Sequence, residues 1–194
     1  MPLESLAGRV DAIAIGTSAG GVEALSVILP ALPAGSRVPV FVVLHLPRER
    51  PSLLVSIFAG KCEVPLREAE DKEPIEPGTV YFAPPDYHML VDNGPAIALS
   101  TDEPVYYSRP SIDVLFESAS DQYRDRLLGI ILTGANEDGA AGLAAVARNG
   151  GMAIVQAPES AQAPLMIQSA LSRTRSALAL SLEQIAGLFR TLDS

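Results

Sequence analysis

The chain has 194 residues, almost half of them hydrophobic, no tryptophan and a formal charge of −9; that length suits one domain with a core of Ala, Val, Ile and Leu. The acidic balance argues against general nucleic-acid binding, and no apolar run approaches the ~18 residues of a membrane span. Residues 1–9 carry no signal-peptide pattern, and the single cysteine, Cys62, excludes an internal disulfide and fits a reducing cytoplasm.

Residues 10–15 form a β-branched apolar run that reads as a buried strand, and residues 22–29 repeat apolar side chains three and four apart, as on a helix. Between them lies Gly16-Thr17-Ser18-Ala19-Gly20-Gly21. Three readings compete: Ser18 as a plain N-cap, a degraded GxGxxG nucleotide loop on Gly16, Ser18 and Gly21, or a GxSxG nucleophile elbow on residues 16–20. Gly16 is expected to make the sharp reversal, with Gly20 and Gly21 admitting a close ligand or backbone. The N–H groups at the helix start suit a phosphate or an oxyanion.

A loop rich in breakers follows, then the apolar run 39–44, a second strand ending at His45. A dinucleotide fold places an acid for the ribose near this point; this chain has a histidine there. Residues 52–58 read as helical, after a loop carrying Arg48, Glu49 and Arg50, and residues 65–77 as an acidic, proline-broken, solvated connection. Residues 79–83 read as a strand, and Asp92-Asn93-Gly94 joins two strands of a peripheral hairpin that holds the competing base His88. Ser111 is a suitable N-cap for an amphipathic helix. Residues 127–132 form the next buried strand, running into a turn with Asp138 and an alanine-rich helix that stops at Gly150. A strand at 152–156, a short helix, another strand and a last helix, capped by Ser181 with Gln184, complete the chain.

Ser18, His45 and Asp138 thus stand at three strand ends, which a parallel sheet brings to one edge. Serine needs a base to become a nucleophile, histidine titrates in the right range, and a carboxylate orients the imidazole. Each also has a plain role, Ser18 and Asp138 as helix caps and His45 as a buried, backbone-bonded side chain. No His/Cys cluster has metal-ligand spacing.

The ordered motifs IGTSAGG, VVLHLP, YFAPPDYHM, RPSIDVLF and ILTGANEDGAAGL resemble the catalytic domain of the chemotaxis protein-glutamate methylesterases. The resemblance implies a doubly wound, mainly parallel α/β fold with an antiparallel hairpin. It implies Ser18 as nucleophile, His45 as general base and acid, Asp138 as orienter, and no cofactor. The implied substrates are γ-glutamyl methyl esters, and certain glutamines, on cytoplasmic helices of methyl-accepting chemoreceptors. Ala19, Leu44, Ala135 and Asn136 depart from the residues usual there, which keeps open a non-catalytic receptor-binding or scaffolding domain. Relatives usually carry a receiver domain in front; this chain opens almost directly on the catalytic strand. The expectation is one catalytic domain over residues 1–194, with a receiver domain or regulator either fused to it or supplied as a separate partner. Arg48, Arg50 and Arg109 are expected to line the cleft.

Overall fold

Successive strand residues face opposite sides of a sheet, and here both sides are apolar. The computed structural model describes residues 5–192, so the expectation for residues 1–9 lies partly outside it. The chain runs β1 (Ala12–Thr17), α1 (Gly21–Ile28), β2 (Val40–Leu44), α2 (Leu54–Phe58), β3 (Leu66–Glu68), β4 (Val80–Phe82), β5 (His88–Asp92) and β6 (Ala96–Ser100). It continues with α3 (Ile112–Tyr123), β7 (Leu127–Ile131), α4 (Ala140–Arg148), β8 (Met152–Gln156), α5 (Leu165–Arg173), β9 (Leu178–Leu180) and α6 (Leu182–Phe189).

In β1, Ile13 and Ile15 enter one core and Ala12 and Ala14 the other; β2 divides in the same way into Val40, Val42 and Leu44 against Phe41 and Val43. Two-sided burial requires helices on both faces. Side chains of α1, α2 and α6 fill the first core, those of α3, α4 and α5 the second. The seven strands lie in the order β3-β4-β2-β1-β7-β8-β9, every pair parallel. The chain leaves β1 towards β2 on one side and later returns to β7 on the other. The edge beside the carboxyl end of β1 is therefore the crevice where such sheets place ligands.

The structure differs from the sequence reading in one part of the main sheet. Residues 65–77 are not only a solvated connection, because β3 lies within them and pairs with β4 at the sheet's edge. Three residues, two of them charged, are too few to show a strand period. The hairpin of β5 and β6 forms as read, a two-stranded antiparallel sheet beside the main one, with Met89, Val91 and Ile97 in the core that α3 fills. The caps are as read: the Ser111 hydroxyl accepts from Val114 N–H, and Ser181 with Gln184 forms a complete capping box. Cys62 is a half-buried free thiol whose burial raises its pKa, against a smaller lowering by Lys61, so it stays protonated and inert. Among the described residues, no helix is long and apolar enough to cross a membrane.

Candidate active site

Ser18 follows the last residue of β1, and His45 the last of β2. Thr17 pairs with Leu44 in the parallel ladder, so the two residues come next on adjacent strands, which lie about 4.8 Å apart. His45 N–H donates to Thr17 O at 3.2 Å, continuing that ladder past the strand end. Ser18 N–H donates to Thr133 O at 2.9 Å and Ser18 O accepts from Gly21 N–H at 2.9 Å, so the serine backbone is held from both sides.

The turn itself is made by Gly20, whose φ of 81° is left-handed, a conformation that favours glycine. Gly16 does not make the reversal expected of it. It lies within β1, and a Cβ there would come within 2.2 Å of Ile112 Cγ2; its missing side chain lets α3 pack close to the strand. Ser18 is no N-cap either, since Gly20 holds that place and no side-chain cap is made.

His45 is mostly buried, 11 % of its side chain being exposed, and its Nε2 lies 2.8 Å from Oδ2 of the fully buried Asp138. The carboxylate thus engages Nε2, and Nδ1 bonds no other described residue, the reverse of the usual arrangement in which the acid holds Nδ1. Asp138 does not cap its own helix, α4. Its Oδ2 also accepts from Ile112 N–H at 2.7 Å, and its Oδ1 from Ser111 Oγ–H at 2.9 Å and Asp113 N–H at 3.0 Å. Four donors fill the acceptor positions of a carboxylate, and three of them come from the start of α3. Asn136 Oδ1 accepts from Asp138 N–H at 3.1 Å and so braces the aspartate turn.

His88, the competing base, is 1 % exposed. Its Nδ1 accepts from Ser111 N–H at 3.1 Å and its Nε2 lies 3.0 Å from Glu103 O. Both nitrogens are committed, whereas His45 lines the cleft.

Two residues escaped the sequence reading. Thr133, at the end of β7, donates from Oγ1 to Ala19 O at 2.8 Å and accepts from Ala163 N–H at 2.9 Å, tying the serine turn to the loop before α5. Asp86 pairs with Arg109 at 2.8 Å and Arg48 at 3.7 Å, so two of the three expected arginines line the cleft around one carboxylate. Neither residue lies near its partners in sequence, so no local spacing betrays it.

The chain matches the family model for the CheB methylesterase over residues 13–189. A Leptospira interrogans protein provisionally named protein-glutamate methylesterase/protein-glutamine glutaminase is 48% identical over 183 residues, 94% of this chain and 95% of that protein. A Caulobacter vibrioides protein-glutamate methylesterase/protein-glutamine glutaminase is 38% identical over 80% of this chain and 46% of its own length. The crystal structure of the Thermotoga maritima CheB methylesterase catalytic domain superposes with a TM-score of 0.90 at 28% identity, covering 95% of this chain and 99% of that one. Doubly wound sheet, separate hairpin and ordered motifs agree with these matches, and the chain belongs to the CheB methylesterase family.

Proposed function

We propose that this chain is a cytoplasmic serine hydrolase of chemotaxis, one catalytic domain that cleaves γ-glutamyl methyl esters on the cytoplasmic helices of methyl-accepting chemoreceptors. The observation that carries the roles is the buried His45–Asp138 pair, in ladder register beside Ser18. Ser18 Oγ attacks the ester carbonyl while His45 Nδ1 takes its proton. The oxyanion of the tetrahedral intermediate faces the start of α1, where N–H groups and helix dipole favour negative charge. His45 then returns the proton to the departing methoxide, and methanol leaves. Water, activated by the same imidazole, hydrolyses the glutamyl-serine ester to glutamate and free Ser18. A glutamine substrate follows the same path with ammonia as the leaving group, which is the second activity in the relatives' names. Nucleophile, base and orienter are all side chains, so the route calls for no cofactor.

The scaffolding alternative draws no support from the geometry: Ala19, Leu44 and Ala135 leave the His45–Asp138 pair and the three further donors to Asp138 in place. A regulator such as a separate receiver domain would act by covering this sheet edge. The test is methanol release from methylated receptor helices. Ser18→Ala is expected to lose about 10³-fold or more in kcat, and turnover retained in that variant overturns the assignment.

A further inference from the structure

Residues 105–108 form a small hairpin beside the cleft. Val105 and Ser108 exchange both backbone hydrogen bonds, at 3.0 and 2.8 Å. Between them Tyr106 has φ 48° and Tyr107 φ 62°. Two successive left-handed residues make the tight turn that Asn-Gly ordinarily occupies. A tyrosine in that region is strained, because its Cβ crowds the backbone. The rings recover little through burial: Tyr107 is 97% exposed and Tyr106 41%. Strain and exposure both oppose folding here, which points to a use outside the fold.

The turn is also firmly held. Tyr107 O accepts from Arg48 Nη2 at 3.0 Å, and Ser108 Oγ accepts from Asn136 Nδ2 at 3.4 Å. Arg109, next in the chain, donates to Asp86 Oδ1 and to the carbonyls of Thr101 and Asp102. Aromatic rings on a fixed base bind at low entropic cost.

Position supplies the partner. A cavity of about 60 Å³ is lined by His45, Arg48, Tyr107, Ser108 and Arg109, among others. That space takes the end of one side chain, so the rest of a macromolecular substrate must lie across the rim, where the tyrosines stand. The lining carries two guanidinium groups that share a single carboxylate, Asp86, and the net positive charge left over suits a segment rich in acids whose product is itself a carboxylate. We propose that the Tyr106–Tyr107 turn is the docking element that seats an acidic polypeptide segment so that one glutamyl side chain enters the cavity beside His45. This rests on the esterase reading above and names what aligns its substrate.

The decisive variant is Tyr106→Asn with Tyr107→Gly, which gives the turn its preferred residues while removing both rings. Its melting temperature is expected to rise, with the fold checked by circular dichroism. On a receptor-helix peptide carrying a γ-methyl glutamate, kcat/KM is expected to fall about ten-fold or more, carried by KM, as for a lost aromatic anchor. The loss on a small neutral p-nitrophenyl ester is expected to be several-fold smaller. Equal losses on both substrates, or an unchanged KM for the peptide, overturn the proposal while leaving the esterase standing. If the parent chain hydrolyses neither substrate, the esterase reading fails and docking is judged by binding alone. Ser18→Ala protein is then titrated with the fluorescein-labelled peptide, with and without the turn replacement. Binding about ten-fold weaker upholds the docking role, and unchanged binding rejects it. Should the double replacement misfold, Tyr107→Ala is held to the same criteria.

Discussion

Asp113 and Asp138 stand at the starts of different helices, and each accepts hydrogen bonds from the start of the other's. Asp138 takes the N–H groups of Ile112 and Asp113; Asp113 Oδ1 takes those of Gly139 at 3.0 Å and Gly142 at 2.7 Å. Each carboxylate thus satisfies donors that a helix start leaves unpaired, and together they fix the loop that presents Asp138 to His45. Burial raises the Asp113 pKa to about 6; the Gly142 N–H opposes this, while the charges of Asp138 and Glu117 add to it. The folded value lies above the ordinary 3.8, so this group's stabilisation is full below pH 3.8 and is lost as pH rises through about 6. Asp113→Asn keeps the Oδ1 acceptor and removes the titration. It should stay within about 1 kcal/mol of the parent at pH 4 and flatten the fall in stability towards pH 7, read by denaturant unfolding at each pH. Asp113→Ala leaves two buried N–H groups without an acceptor and should cost about 2–4 kcal/mol. Ser111 was legible as a cap because its partner, Val114, lies three residues on. Its bond to Asp138 spans 27 positions and has no signature in the chain.

At the level of elements, the spacing of β1 and α3 governs the site. Gly16 lets Ile112 pack against the strand, and Ile112 N–H is one of the donors that hold Asp138. A methyl group at position 16 would meet the Ile112 side chain at 2.2 to 2.9 Å, forcing the start of α3 outward and disturbing the carboxylate. Gly16→Ala should therefore destabilise by about 1–3 kcal/mol and lower kcat. Adding Ile112→Ala opens the space, so the double variant should be less unstable than the two single losses summed; strict additivity would show that the contact does not matter. The long strands were readable because two-sided burial writes a continuous apolar run, and the helices because their apolar period survives in α1 and α3. Gly16 was readable as a necessary glycine but not for the right reason. The sequence shows that a Cβ is missing, not which neighbour occupies its place. The edge strand β3 was hidden in the same way, since pairing partners are chosen by tertiary packing.

Across the whole molecule, the −9 charge opposes the approach of the acidic segment proposed as substrate, and the strand-end loops carry the arginines expected to offset it. Convergence of Ser18, His45 and Asp138 on one edge followed from parallel strands alone, but the use of each arginine did not. Arg109 is tied to Asp86 and two carbonyls, and Arg48 to Asp86 and Tyr107 O. Arg50 is exposed and, among the described residues, has no side-chain partner. Arg50→Glu therefore changes charge alone, while Arg48→Glu changes charge and also releases the tyrosine turn. At low salt both should raise KM for the receptor peptide several-fold more than for a small neutral ester. Near 1 M salt, where charges are screened beyond about 3 Å, the Arg50→Glu penalty should vanish and the Arg48→Glu penalty should persist in part. A residue at position 48 that acted only through its charge would instead lose its whole effect in salt. If neither variant's KM responds to salt, steering by these loops is ruled out, and contact at the turn alone accounts for substrate acceptance.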